Sequence, residues 1–217
     1  TWAQTVALLL SCLTILFGST MAVREQHFKR RLAYSTISNL SYMLMGAALM
    51  TPDGMTGSLS HLVIHGVIKI TLFFCAGAVM VKTGRTQIED LRGLSKVMPF
   101  TCATYTIGAI SLMGTPLLPG FVSKWLIGSA AIETGTAMGM VGVAAILISA
   151  VLTAIYLMGP ALSMYFRPLE GMEPTAKCDP GMRMKLPFAV LASAIVLCGL
   201  FSDPIITLLA NLSVGVM

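Results

Sequence analysis

The chain has 217 residues, 56% of them hydrophobic and only 11% charged, with a mean hydropathy of +0.84. That composition excludes an ordinary soluble domain and makes the protein an integral membrane protein. Its five cysteines (Cys12, Cys75, Cys102, Cys178, Cys198) are scattered without any C-x-x-C spacing, which argues against a metal knuckle or a disulfide framework.

The first apolar run, Trp2 to Val23, is long enough to cross a hydrocarbon core, which needs about 20 residues. No basic leader precedes it, so it reads as a span rather than a signal peptide, and an opening Thr1 points to a piece of a longer protein. A basic cluster follows (Arg24, Lys29, Arg30, Arg31), for which orientation and contact with anionic headgroups are an adequate role. The second run, Leu32 to Met50, opens with Ser35, Thr36, Ser38 and Asn39, small and hydroxyl residues suited to helix packing, and stops at the turn signal Thr51-Pro52-Asp53-Gly54.

The third run, Leu59 to Val81, contains His61, His65 and Lys69. At helical geometry these positions lie on one stripe, about 6 Å apart along the axis and drifting by about 40° per step. Lys69 has about a dozen apolar or small residues on either side, too far from either end to snorkel. From Thr83 to Val97, Ile88, Leu91, Leu94 and Val97 recur at helical spacing among charges, with Glu89 and Asp90 early and Lys96 late. Two readings stand here: a short amphipathic helix on the membrane surface, or a solvated loop.

Met98 to Thr134 is too long for one plain span and is interrupted by Gly114-Thr115-Pro116-Leu117-Leu118-Pro119-Gly120. Met138 to Phe166 spans again, 167–185 is a polar loop with Pro168, Pro174 and Pro180, and Leu186 to Leu212 makes the last span. Charge sidedness decides how Met98 to Thr134 crosses. The basic residues outside the membrane fall in three loops: Arg24 to Arg31; Lys82, Arg85, Arg92 and Lys96; Arg167, Lys177, Arg183 and Lys185. If the interrupted run crosses once, all of these lie on one side; if twice, they are divided. The positive-inside rule favours one broken crossing. The expectation is therefore an all-α polytopic transmembrane bundle of about six spans, one of them broken, with loops 24–31, 82–97 and 167–185 in the cytoplasm and the chain in the cell inner membrane.

A span broken in lipid leaves main-chain groups unsatisfied unless protein or water meets them, and such breaks line ion or substrate paths. Just past this one sits Lys124. Snorkelling is open to Lys124 as it is not to Lys69, but the default for an ionisable residue inside the membrane is function. Low dielectric favours the uncharged amine of a lysine in general, and imidazole titrates near neutrality. Lys124, Lys69, His65 and His61 are thus candidate stations for protons, with water bridging the longer gaps. Packing across helices stays open for His61, and a metal on the histidine pair lacks a third ligand nearby. Glu133 lies at the end of the broken span, and Asp203-Pro204 reads as a helix break rather than a carboxylate station. No convincing mid-membrane carboxylate balances the lysines, so their partner must come from elsewhere.

Four blocks taken together carry a resemblance: Lys29-Arg30-Arg31-Leu32-Ala33-Tyr34-Ser35-Thr36-Ile37-Ser38; His61-x-x-x-His65-x-x-x-Lys69; Asp90-Leu91-x-Gly93-Leu94; and Gly120-Phe121-Val122-Ser123-Lys124. In order and approximate spacing the chain resembles the antiporter-type subunits of respiratory complex I, Mrp-type cation/proton antiporters and membrane-bound hydrogenases. The resemblance implies a fold of two inverted five-helix repeats. Residues 1–166 would be the second repeat and 186–212 one further helix, within a single transmembrane domain over 1–217. It also implies that Lys124 exchanges protons at the broken helix, that Lys69 and His65 form the central relay leading to it, and that His61 precedes them by one turn. Gly114, Pro116, Pro119 and Gly120 would supply the broken backbone. Lys rather than Glu at 124 is closer to the L-type and Mrp-type members than to the M-type.

The family's first repeat has no counterpart here, so a partner subunit or a further segment must supply it. The implied partners are other membrane subunits, the lipid bilayer and protons, with Na+ or K+ left open and no nucleic acid. Neither a G-x-G-x-x-G motif nor a cysteine cluster is present, so no cofactor is expected and any redox chemistry of a proton-translocating NADH:quinone oxidoreductase would belong to other subunits. The alternative of a different class is a structural module that holds a larger complex together and moves nothing. An intramembrane hydrolase has little support, since the spans carry no acid pair and no serine with an evident base.

Overall fold

The computed structural model describes residues 2–169 and 178–214. Among them the regular structure is helical, apart from one antiparallel bridge between His27 and Gln87. The α-helices are α1 (Trp2–Arg24), α2 (Phe28–Ala48), α3 (Pro52–Thr83), α4 (Pro99–Met113), α5 (Pro119–Glu133), α6 (Ala137–Phe166), α7 (Met182–Leu200) and α8 (Ser202–Val214). By length and apolarity alone α1, α3, α6 and α7 could each cross a bilayer. Pro174 and Lys177 of the polar loop lie outside the described residues.

α3 is the axis of the bundle and packs against α2, α4, α5, α7 and α8. It starts seven residues ahead of its apolar run because the Thr51 side chain accepts from the Gly54 N–H and Pro52 fits the first helical turn, where no N–H is needed; the turn signal is also a helix start. It ends on Gly84, whose φ of 69° stops the helix in the left-handed conformation. α2 likewise starts earlier than its apolar run, at Phe28, so Lys29, Arg30 and Arg31 form its first turn.

The interrupted run crosses once. α4 lies against the later half of α3, where Cys102 and Tyr105 share a pocket with Cys75 and Val79, and Gly108 abuts Leu72. α5 lies against the earlier half, where Gly57 closes on Leu126 and Ile127. Together they run the length of α3, in the single broken crossing that the charge distribution favours. The last span is also interrupted: α7 ends at Leu200 and α8 begins at Ser202, at the Asp203-Pro204 signal. Gly199 packs on the first break, and a Cβ there would collide with the Leu117 carbonyl oxygen. Counting α4–α5 and α7–α8 as one crossing each, the described residues make six crossings, two of them broken.

The three basic loops meet at one end of the bundle. Phe28 N–H donates to Thr86 O at 2.8 Å and Ile88 N–H to Gln26 O at 2.9 Å; Gly93 N–H donates to Ser163 O at 3.0 Å and Cys178 N–H to Val97 O at 2.9 Å. The Asp179 carboxylate accepts from the N–H groups of Phe100 and Thr101, at 3.1 and 3.3 Å, which covers the exposed donors at the start of α4.

Two sequence expectations need correction here. Residues 83–97 form neither an amphipathic surface helix nor a solvated loop. They make two 3-10 turns, Glu89–Leu91 and Leu94–Lys96, separated by Gly93 at φ 64°, and they insert Leu91, Leu94 and Val97 fully into the core. Their apolar spacing was a packing signal, with the helix broken by the left-handed glycine. Arg31 does not face headgroups: it is 7% exposed, and its guanidinium donates to Glu25 O at 2.8 Å, Val23 O at 3.3 Å and Tyr156 O at 3.3 Å. One fork of donors thereby closes the end of α1 onto α2 and α6.

Candidate functional site

The inward stripe of α3 carries His61, His65 and Lys69, all buried, while Val63 and Ile70 on the opposite side are about half exposed. Lys69 is 5% exposed and its Nζ donates to Leu32 O in α2 at 2.9 Å. Lys124, in the second turn of α5, is 6% exposed. Its side chain turns back toward α4 instead of outward, which removes the snorkelling alternative: Nζ donates to Leu112 O at 2.7 Å and Met113 O at 3.3 Å. These are last-turn carbonyls of α4, left without helical donors by the break and carrying the negative end of the helix dipole.

The backbone of the break is built to allow this. Gly114 turns the chain at φ 98°, and an added Cβ there would come within 3.5 Å of Lys124 Cδ. Leu117, exposed, also takes a positive φ of 72°. Pro119 opens α5, and Gly120 lets the start of α5 ride on the end of α4, since a Cβ at 120 would collide with Ser111 O. Gly114, Pro116, Pro119 and Gly120 thus all lie in the interruption or the first turn after it.

Two imidazoles share the buried core with the lysines. His61 Nδ1 lies 2.8 Å from Ser123 Oγ, next to Lys124 in sequence, and His61 Nε2 lies 3.2 Å from Asn39 Oδ1. Asn39 Nδ2 donates to Ser35 O at 2.7 Å, which turns the amide oxygen toward His61. In its neutral form His61 thereby carries its proton on Nε2 and accepts from the Ser123 hydroxyl on Nδ1. The His61 and His65 rings stack at 5.8 Å with 22° between planes. His65 Nε2 is buried without a hydrogen-bond partner among the described residues. Lys124 Nζ also sits 5.5 Å from the Tyr42 ring centroid, a cation–π contact. Behind Asn39, Ser35 Oγ meets Tyr156 OH at 2.7 Å, and Tyr156 OH donates to Thr153 at 3.2 Å.

The structure therefore buries all four sequence-predicted residues, with His61 stacked on His65 and hydrogen-bonded to Ser123 beside Lys124. Neither lysine meets a carboxylate among the described residues; each donates to main-chain carbonyls. A carbonyl accepts from a neutral amine and from an ammonium alike, so neither lysine is locked to one protonation state by a counter-charge. Asn39, Ser123 and Tyr42 belong to the site; Ser123 lies in the 120–124 block without a role of its own there, and no motif marks Asn39 or Tyr42. The available signal was position: Asn39 is polar and close to the middle of α2, and Ser123 is adjacent to the lysine.

The model of the transmembrane family described as NADH:quinone oxidoreductase/Mrp antiporter matches residues 1–153. The chain belongs to that family. Among curated members, NADH-quinone oxidoreductase subunit N of Desulforudis audaxviator is 34% identical over 204 residues, covering 89% of this chain and 40% of that protein. A Na(+)/H(+) antiporter subunit of Alkalihalophilus pseudofirmus is 32% identical over 205 residues, covering 94% of this chain and 41% of its own length. The chain thus spans about two fifths of these relatives. Among solved structures, a chain of respiratory complex I from Thermus thermophilus superposes with a TM-score of 0.85 at 27% identity, covering 98% of this chain and 44% of that one. A chain of the Mrp complex from Dietzia, at 23% identity and a TM-score of 0.86, shares the fold and covers 97% of this chain and 46% of that one. A polytopic membrane chain of this family accounts for the helix order and the fold.

Proposed function

We propose that this chain is a proton-translocating module of a multisubunit membrane complex, in which Lys124 and Lys69 take up and release protons and His65 and His61 relay between them. The observation that carries the reading is the pairing of both lysine amines with main-chain carbonyls in the same buried core that holds the Ser123, His61 and His65 contacts, where water would bridge the remaining gaps. A buried lysine that only stabilised the fold would be expected opposite a carboxylate. Here the hydrogen bonds survive loss of the proton, which suits a site that must exist in both states.

The relatives named as quinone oxidoreductase and antiporter subunits support assembly with other membrane subunits, one of which, or a further segment, supplies the family's first repeat. The clustering of the three basic loops at one end supports placing that end in the cytoplasm of a cell whose inner membrane holds the complex. Cation counter-transport accompanies proton movement where the assembled complex belongs to the antiporter branch. The test is proton flux in proteoliposomes of the complete parent complex, wild type against Lys124→Met, with assembly followed on native gels. Loss of flux by about tenfold or more with normal assembly supports the relay. Undiminished flux removes it and leaves the structural reading.

A further inference from the structure

α8 carries a polar stripe on its outward side, a face that hydrocarbon would require to be apolar. It packs on α3 with Leu209 and Ser213 buried, while Asp203, Thr207 and Asn211 are exposed. These three recur every fourth residue and so form one row along the outward side of the helix.

The depth of that row follows from two contacts. Ser213 Oγ lies 2.9 Å from Thr56 Oγ1, near the start of α3. Ile205 shares a small pocket with Val63, Ile64 and Val67. α8 therefore runs antiparallel to α3, and stepping back about ten residues from Ser213 to Asp203 advances α3 by about ten residues from Thr56, to the neighbourhood of Gly66. That is close to the middle of α3 (Pro52–Thr83) and to the level of His65 and Lys69. Asp203 thus stands near the centre of the bilayer, in the first turn of α8, where its charge favours the helix N-terminus but meets no cationic side chain among the described residues. Hydrocarbon does not tolerate an ionised carboxylate there, and Thr207 and Asn211 extend the mismatch toward the membrane surface.

We propose that the outer face of α7–α8 docks a membrane-spanning helix of a neighbouring subunit, and that this helix presents a lysine or arginine to Asp203 and hydrogen-bonding groups to Thr207 and Asn211. Charge complementarity selects this occupant: lipid offers no cation at that depth, whereas a helix carrying a basic residue satisfies the carboxylate and is itself relieved of an unpaired charge. Small and polar side chains at such an interface let the helices approach closely and bond across it. Docking at this face is independent of whether the lysine line conducts protons.

The test uses the complete parent complex with a photo-crosslinking benzoylphenylalanine at position 207. The expected adduct lies in a transmembrane segment of another subunit, within about one turn of a lysine or arginine. Asp203→Asn, which keeps size and helix start, should cut the adduct yield by about tenfold while the amount of this chain in the membrane stays constant. Asp203→Lys should release the neighbouring subunit on native gels, and reversing the partner's basic residue to aspartate should restore it. An adduct with lipid alone, with another part of the same polypeptide, or with a segment that lacks a basic residue overturns the proposal. So does full crosslinking in Asp203→Asn.

Discussion

Lys124 reaches back across the interruption that precedes its own helix and places Nζ 2.7 Å from the carbonyl oxygen of Leu112. The side chain of one half-helix thereby completes the main-chain hydrogen bonding of the other. A break in a membrane helix is costly because its freed carbonyls have no water to turn to. Here the amine meets part of that cost, and the same amine is the candidate proton carrier. The geometry of the break and the hydrogen bonds of Lys124 are consequently coupled: whatever moves α4 relative to α5 changes what Nζ can donate to.

That coupling separates charge from proton exchange. Lys124→Arg keeps a positive group able to donate to Leu112 O and Met113 O, but guanidinium does not release its proton in proteins. Proton flux in proteoliposomes of the intact complex should fall in Lys124→Arg about as far as in Lys124→Met, by about tenfold or more. Native gels should show both variants assembled. Flux at the wild-type level with arginine would mean that a fixed charge suffices and that no proton passes through position 124.

His61 depends on two neighbours for its orientation, Ser123 on Nδ1 and Asn39 on Nε2. Asn39→Leu is close in size and leaves the Nε2 proton without its acceptor in a fully buried site. A buried donor left unpaired costs about 1–3 kcal/mol. The ring is then free to rotate or exchange tautomer, so Asn39→Leu should slow proton flux while leaving Lys69 and Lys124 in place. Adding Ser123→Ala should produce less than the product of the two single effects, because both substitutions act on one imidazole. Flux measured for the two single variants and the double variant gives the comparison; fully independent effects would argue against His61 as the shared element.

Helix order and the buried His61, His65 and Lys69 stripe were legible because they depend on regularities that a sequence displays directly. The apolar runs located the spans, with α3 extending seven residues ahead of its run, and the i, i+4 spacing placed His61, His65 and Lys69 on one buried face. Charge sidedness made the Gly114–Gly120 interruption a single broken crossing, as the packing of α4 and α5 on α3 bears out. What escaped depends on which neighbour a residue meets. Arg31 looks like its neighbours Lys29 and Arg30, and only the carbonyls of Val23, Glu25 and Tyr156 converging on it make it an interior residue. Leu91 and Leu94 repeat as in a helix, yet Gly93 between them enters the left-handed region and turns the segment into a plug. The interruption at Phe201 was marked by Asp203-Pro204, but its fit over Leu117 and Pro119 arises from tertiary contact at Gly199.

Arg31 therefore carries a prediction that a headgroup-facing arginine would not. Its donors hold the ends of α1 and α2 to α6, and lysine, with a single point of donation on a flexible stem, does not reproduce a planar fork. Arg31→Lys should lower stability by about 1–3 kcal/mol through the carbonyls it leaves unpaired. Arg30→Lys, at an exposed position, should change it by less than about 0.5 kcal/mol. Thermal unfolding of the detergent-solubilised complex, followed through loss of this subunit, distinguishes the two. Equal Tm values for both variants would show that the buried fork contributes nothing.

Gly120 gives the most local test of the broken crossing. A Cβ at this position would overlap the carbonyl oxygen of Ser111 and lie 2.9 Å from its carbonyl carbon, both main-chain atoms with no flexible side chain to give way. Alanine has the better helix propensity, and at an unconstrained position in α5 it would stabilise the helix by about 1 kcal/mol. Here it forces the start of α5 away from the end of α4, the displacement that would withdraw Lys124 from Leu112. Overpacking of this kind costs about 1–3 kcal/mol, so Gly120→Ala should destabilise the subunit in spite of propensity. Gly128, in the same helix, has no atom within 4 Å of the place a Cβ would take, and Gly128→Ala is the matched control, neutral or slightly stabilising. Thermal unfolding and proton flux read together on these two variants decide the point: flux and stability should fall in Gly120→Ala and hold in Gly128→Ala. A Gly120→Ala complex with unchanged Tm and flux would mean that the junction of α4 and α5 is looser than the contact with Ser111 requires.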